Sequence, residues 1–99
     1  MERKYRFKKT VATVAGILSF NTNEIRGDIT SFQIKPVTST TRYTVTVTND
    51  DDVVVLKGSF TGNMIDDRVK SWYGIYTIAI SAATANEDFT FTIHYVDLQ

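Results

Sequence analysis

The 99-residue sequence contains no cysteine and a single histidine, His94. Without cysteine the chain can form no disulfide and no zinc–thiolate site, and thiol catalysis is excluded. His94 alternates with Ile93 and Tyr95 and has no acid or nucleophile at a catalytic spacing, so we interpret it as a structural residue on the outer face of a strand. The sequence also has no nucleophile elbow, phosphate-binding loop or metalloprotease motif. We therefore expect no enzymatic activity, no metal and no cofactor.

Proline and long apolar runs are scarce as well. The single proline, Pro36, is expected to end a strand, because proline cannot donate a hydrogen bond to a β-ladder. Residues 11–20 follow a basic N-terminus and superficially resemble a secretory signal, but Thr13, Gly16 and Ser19 interrupt them. The stretch is also too short to cross a bilayer. We interpret it as strand and hairpin, and we expect no membrane partner.

Two segments, residues 41–48 and 89–95, place an apolar residue at every second position, mostly with threonine between. A period of two puts alternate side chains on opposite faces of a β-strand, so the apolar set points to a core and the threonines point to solvent or a partner. The same argument places Thr30 on the face of Phe32 and Ile34. The predicted core consists of Phe32, Ile34, Tyr43, Val45, Val47, Tyr76, Ile78, Ile80, Phe89, Phe91 and Ile93.

The whole chain reads as one all-β domain over residues 1–99. About seven strands are predicted, at 5–14, 17–20, 29–35, 41–48, 53–60, 75–81 and 89–96, and fifteen threonines suit such pleated surfaces. Residues 21–28 are expected to be a loop, and residues 64–69 could form one helical turn. The pattern favours a single antiparallel β-sandwich of Greek-key or jelly-roll type, with a small barrel as the alternative.

Charge is balanced overall but unevenly distributed. The first nine residues carry Arg3, Lys4, Arg6, Lys8 and Lys9 against one glutamate, a net charge of +4, and the other ninety residues carry −4. Residues 1–9 are either a basic arm that reaches an acidic partner or an edge strand whose cations block unwanted strand pairing. Nucleic acid is not the expected partner, because no basic stripe interleaved with aromatics continues along the chain.

Acidic clusters raise the question of calcium, which takes six to eight oxygen ligands. Asp50, Asp51 and Asp52 follow Asn49 and are expected to form a hairpin turn instead, because consecutive extended residues point in alternating directions. A second acidic site could arise only if residues 66–67 and 87–88 lie at the same end of the sandwich.

The dipeptide Trp72–Tyr73 should place one ring in the core and one on the surface. An exposed aromatic ring beside an irregular loop could anchor a protein interface or stack on a sugar.

Residues 34–36, 40–47 and 72–80, which include the run Gly74-Ile75-Tyr76-Thr77-Ile78-Ala79-Ile80, resemble small β-sandwich virion proteins of tailed bacteriophages. The resemblance extends over roughly residues 5–97. It implies a non-enzymatic capsid decoration (cement) protein that binds the major capsid protein or another virion protein and tends to form homo-oligomers. Its implied location is the head or neck surface of the virion, after synthesis in the host cytoplasm. The alternative is a carbohydrate-binding or adhesion module.

For the decoration role we expect the partner to be contacted by the basic segment and by apolar anchors. The candidates are Arg3, Lys4, Arg6, Lys8 and Lys9 for charge, and Met64, Trp72 and Tyr73 for apolar contact. Exposed charge pairs contribute little free energy individually, so the anchors would supply most of the affinity.

Overall fold

Nine β-strands account for most of the residues that the computed structural model describes, which are 2–66, 70–83 and 86–98. No helix occurs in this part of the chain, and hence no helix that could cross a membrane. In chain order the strands are β1 (Glu2–Ala12), β2 (Leu18–Asn21), β3 (Ile25–Pro36), β4 (Arg42–Thr48), β5 (Val54–Thr61), β6 (Met64–Asp66), β7 (Lys70–Gly74), β8 (Thr77–Ser81) and β9 (Asp88–Leu98).

The strands pair as if one long hairpin had been rolled up. β1 pairs with β9, β2 with β8, β3 with both β6 and β7, and β4 with β5, all antiparallel. β9 also pairs with β3, and β8 also pairs with β4, which completes two open sheets. One sheet has five strands, in the order β1-β9-β3 followed by β6 and β7, and the other has four, in the order β2-β8-β4-β5. This is the jelly-roll form of the β-sandwich. The sandwich prediction is confirmed, and the barrel alternative is not observed.

The core lies between the two sheets, where alternate strand residues interdigitate. All eleven predicted core residues are buried, and Val45, Ile78, Phe91 and Ile93 have no exposed surface. Tyr43 packs edge-to-face on Phe89 at a centroid distance of 5.2 Å. The register assigned to the alternating segments is therefore confirmed.

Strand β1 settles the two interpretations of residues 1–9 in favour of the edge strand. β1 pairs with β9 in unbroken register from Glu2 to Ala12. Its inward side chains join the core layer, since Tyr5 stacks on Tyr95 at 5.4 Å and Phe7 on Phe20 at 6.3 Å. The free-arm interpretation is wrong, because the segment forms one edge of the five-stranded sheet.

Strand β3 begins earlier than predicted and contains an irregularity. Ile25 and Gly27 are buried within the segment expected to be a loop, where the β3 backbone pairs with β7. The register with β9 shifts between Ile29 and Ser31. Thr30 is therefore exposed, contrary to the prediction that it shares a face with Phe32, and Ile29 takes the buried position.

The segment from residue 64 to 69 also differs from expectation. Residues 64–66 form β6 and pair with Phe32, Gln33 and Ile34, so the predicted helical turn is wrong for these residues. Residues 67–69 lie outside the described part of the chain. The strand count is nine rather than seven because β6 and β7, which share the edge of β3, have no clear alternation in sequence.

Candidate interaction surface

Three cations lie in a row on the outer face of β1. Lys4, Arg6 and Lys8 are exposed and point away from the core, because the alternating residues Tyr5 and Phe7 point inward. Residues two apart along a strand are separated by roughly 7 Å, so the row presents evenly spaced positive charge over about 14 Å. We call Lys4, Arg6 and Lys8 the cationic row.

Two other basic residues predicted for partner binding lie elsewhere. Lys9 falls on the inward-facing side of β1, where its Nζ lies over the Phe20 ring at 5.2 Å from the centroid. A cation so placed interacts with the ring face, and its stem covers apolar surface. Arg3 pairs with Asp97 through the backbone, and the structure does not describe the Arg3 side chain. The structure therefore brings together three of the five predicted cations.

The cationic row has no carboxylate partner among the described side chains. The ion pair recorded within that set joins Arg26 Nε to Glu24 Oε1 at 3.5 Å and lies on β3 and the loop before it. The charges of Lys4, Arg6 and Lys8 are thus available to a partner rather than neutralised within the described part of the fold.

A depression of about 330 Å³ lies beside the cationic row, on the β1–β9–β3 sheet. It is bordered by both polar and apolar side chains, and Tyr5, which is 37% exposed, forms part of its wall. Its lining residues are Lys4, Tyr5, Thr30, Ser31, His94, Tyr95 and Val96. His94 is half-buried there, on the outer face of β9 as predicted, with Arg6 and Ser31 as its neighbours on β1 and β3.

At the β4–β5 hairpin, negative charge is concentrated. The Asn49 side-chain oxygen accepts hydrogen bonds from the backbone N–H groups of Asp51 and Val53, both at 2.9 Å, which organises the turn. Asp50, Asp51 and Asp52 are all exposed, so the turn prediction is confirmed. No group of three potential metal ligands occurs among the described residues.

Exposed apolar side chains lie close to this turn. Gly74 packs so near Asp50 that a side-chain carbon at position 74 would come within 2.8 Å of the Asp50 carboxylate. The residues flanking Gly74 are exposed, Tyr73 by 61% and Ile75 by 45%, and Val53 at the end of the turn is 54% exposed. We call residues 50–53 together with Tyr73 and Ile75 the acidic end.

Two of the three predicted apolar anchors do not reach the surface. Met64 is 6% and Trp72 4% exposed, and Trp72 stacks on Tyr76 at 4.4 Å. Both belong to the core, because β6 and β7 turn them towards the other sheet. The predicted split of Trp72 and Tyr73 between core and surface is confirmed, and Tyr73 alone of the three anchors is available to a partner.

The burial of Trp72 also bears on the carbohydrate alternative. Sugar-binding sandwiches of the predicted kind would use both rings of the Trp72–Tyr73 pair as a stacking platform, and only Tyr73 is on the surface. No second exposed aromatic ring flanks it at neighbouring strand positions within the described residues. The arrangement is better suited to an anchor in a protein interface.

Sequence reasoning missed the exposed residues Val53, Ile75 and Tyr5. Each lies in a predicted strand, where alternation alone does not mark a residue as available to a partner. The available signal was topological: Val53 and Ile75 adjoin a turn and a strand connection, and Tyr5 lies on an edge strand, where one side has no neighbour.

Comparison with known proteins supports the fold and does not identify a family. No protein-family model matches the chain, and a search of curated proteins finds no match. Among solved structures, the chain is similar to a protein of Bacillus endospore appendages, described as disulfide-linked pili, with 16% identity and a TM-score of 0.59, covering 98% of this chain and 89% of that chain. At this identity, the likeness shows a shared fold alone.

Two other solved structures are less similar. An infectious bursal disease virus protein of the Gt strain aligns with 97% of this chain and 32% of its own length, at 8% identity and a TM-score of 0.43. A carbohydrate-binding module, CBM36, solved in complex with calcium and xylotriose, aligns with 96% of this chain and 99% of its own length, at 13% identity and a TM-score of 0.39. At such TM-scores, neither similarity carries an argument about function.

Proposed function

We propose that this chain is a non-enzymatic structural subunit that coats a particle surface, specifically a decoration protein on the exterior of a phage head. The observation that carries the proposal is the cationic row, three exposed cations on one sheet edge that have no carboxylate partner among the described side chains, in a chain with no net charge. Such a row favours an acidic protein surface and steers encounter with it.

The appendage similarity supports the coarser part of the proposal, an assembly role for the fold. Those appendages are described as disulfide-linked pili. The present sequence has no cysteine, so its own contacts with neighbouring subunits would be noncovalent. Exposed apolar residues at the acidic end could supply contact area, and exposed charge pairs of a few tenths to about 1 kcal/mol each would orient the subunit.

Co-sedimentation with phage heads that lack this protein tests the decoration role. We expect the purified chain to pellet with heads at low salt and to be released as salt rises, since the Debye length falls from about 10 Å at 0.1 M to about 3 Å at 1 M. K4E/R6E should weaken binding, whereas the matched variant R42E/K57E, which reverses two exposed cations on the other sheet, should retain it.

A glycan array run in parallel covers the alternative function. Binding to a defined glycan that persists in K4E/R6E and disappears in Tyr73→Ala, together with no pelleting on heads, would replace the decoration proposal with a carbohydrate-binding one. Pelleting of wild type and R42E/K57E but not of K4E/R6E would support the decoration role.

A further inference from the structure

We propose that the acidic end of one copy of this chain docks on the cationic row of a second copy, so that copies associate head to tail. The inference rests on the proposed function as an assembly subunit and gives the row a second partner beside the head surface, namely another copy of the chain. Two observations support it. The cationic row and the acidic end carry opposite charges on distant surfaces of one chain, and each has apolar side chains beside it.

The two surfaces lie apart in the fold. The cationic row is on β1, the outer strand at one edge of the five-stranded sheet. The acidic end is formed by the β4–β5 turn and the β7–β8 connection, and β5 and β7 are both outermost strands on the opposite side of the sandwich. Neither charge cluster can therefore satisfy the other within one copy.

The symmetry of the contact follows from the sign of the charges. A two-fold contact places a surface against the same surface of the partner. Two cationic rows facing each other would oppose three cations to three, and two acidic ends would oppose three carboxylates to three. Both arrangements are repulsive, whereas the acidic end against the row pairs unlike charges. Because the row and the acidic end lie on opposite sides of the sandwich, one two-fold contact could not pair both at once. The favoured contact is therefore heterologous, and it repeats from copy to copy.

Shape and polarity agree with the charge pattern. The 330 Å³ depression beside Lys4 is walled in part by Tyr5, Tyr95 and Val96 and is open to solvent. At the acidic end, Tyr73 and Ile75 project from the surface on either side of Gly74, which packs against Asp50. An apolar side chain next to the carboxylates can thus enter a partly apolar depression next to the cations. We assign this insertion to Tyr73, the most exposed of the apolar residues at the acidic end.

Backbone pairing is not part of the proposed contact. Charged side chains along an edge strand oppose the addition of another strand, and the cationic row occupies alternate positions of β1. The contact is accordingly one of side chains, and it should respond to salt and to charge reversal more than to substitutions that affect backbone hydrogen bonding.

Sedimentation velocity of two charge-reversed variants, alone and mixed, tests the proposal. K4E/R6E changes the row and D50K/D51K changes the acidic end; all four residues are exposed, and Asp52, with φ of 62°, is left unchanged. We expect wild type to form concentration-dependent oligomers at about 0.05 M salt and to dissociate at about 1 M. Each variant alone should self-associate at least about tenfold more weakly, because reversal turns attraction into repulsion.

Mixing the two variants in equal amounts should restore association. The reversed row of one variant then meets the reversed acidic end of the other, and the two unchanged surfaces also meet, so oligomers larger than dimers should form. R42E/K57E, with the same net charge as K4E/R6E, should self-associate like wild type. Tyr73→Ala should weaken association in the wild-type background, and circular dichroism would establish that every variant is folded.

A strictly monomeric wild type at low salt and high concentration would overturn the proposal, as would a mixture that stops at dimers or does not associate. Binding of phage heads distinguishes this failure from failure of the proposed function. A monomer that still pellets with heads refutes head-to-tail docking and leaves the decoration role standing. Oligomers that do not pellet with heads support the docking and remove the decoration role.

Discussion

The Thr41 hydroxyl donates a hydrogen bond to the Glu87 carboxylate at 2.7 Å, in a position where both residues are buried. The same carboxylate accepts a hydrogen bond from the backbone N–H of Thr38 at 3.0 Å. On the backbone side, the N–H of Glu87 donates to the Thr13 hydroxyl at 2.9 Å. A buried carboxylate is tolerated only when its oxygens are hydrogen-bonded, and both oxygens of Glu87 are. Because these partners lie in the connections that follow β1 and β3, Glu87 links both connections to the start of β9.

Replacing Glu87 should destabilise the fold more than its loop position suggests. Glu87→Ala leaves the Thr38 N–H and the Thr41 hydroxyl without their acceptor, and we expect a loss of roughly 2–3 kcal/mol in the free energy of unfolding. Glu87→Gln keeps one acceptor oxygen and should lose less. Asp88→Ala, at the exposed neighbouring residue, is the control and should change stability by less than about 0.5 kcal/mol. Urea denaturation measures all three, and equal effects of the two alanine variants would refute the role assigned to Glu87.

Truncation of a core aromatic should be costly. Phe91 has no exposed surface and packs against Phe20 at a centroid distance of 4.8 Å. Phe91→Ala should lower the free energy of unfolding by about 3–5 kcal/mol, through lost burial and the cavity left behind. Val37→Ala, at a residue 74% exposed, serves as the control. A loss below about 1 kcal/mol for Phe91→Ala in thermal or urea unfolding would be incompatible with the register of β9.

Stability should fall at alkaline pH because of Tyr43. Its hydroxyl donates to the Gly62 carbonyl at 2.8 Å, and desolvation by burial raises the pKa of Tyr43 to about 12. An unfolded tyrosine titrates near pH 10, so the folded state retains a proton that the unfolded state loses. This contribution is fully present below about pH 10 and is lost as the pH rises towards about 12, at roughly 1.4 kcal/mol per pH unit.

Tyr43→Phe isolates this effect from the titration of the lysines and the other tyrosines. The variant should be less stable at neutral pH, since the Gly62 carbonyl loses its donor, but its stability should decline less steeply between about pH 10 and 12 than that of wild type. Parallel slopes for the two proteins in urea titrations over that range would contradict the assignment.

Deleting residues 1–9 should unfold the domain rather than release an arm. The deletion removes most of β1, leaves β9 as an unprotected edge and uncovers Phe20, which Phe7 and Lys9 contact. We expect loss of the cooperative thermal transition in circular dichroism, whereas K4E/R6E at exposed positions of the same strand keeps it. A truncated protein with an unchanged melting temperature would show that β1 is dispensable.

The strands in which apolar residues occupy every second position were predicted correctly from the sequence. The strands containing Val45, Ile78 and Phe91 follow this alternation without interruption, so the sequence alone was enough to assign their register. The irregularity at Thr30 could not be predicted, because an extra residue in a strand carries no distinctive composition. Strands β6 and β7 were missed for a related reason, since three to five residues are too few to establish a period.

The candidate surface was predicted only in part. The cationic row follows directly from alternation of Lys4, Arg6 and Lys8 with inward aromatics. Burial of Met64, by contrast, depends on which strand β6 pairs with, a contact between residues about thirty positions apart in sequence. Glu87 carries no sequence signal at all, because its partners Thr13 and Thr41 meet it only when three separate connections come together at one end of the sandwich.

The most direct test of the structural-subunit role is immunogold electron microscopy with an antibody raised against this chain. It is applied to particles and cells of the organism that encodes the protein. We predict gold at regular spacing on the outer surface of phage heads, in many copies per particle. Gold in the cell interior, with the surfaces of the particles unlabelled, would contradict the structural-subunit role.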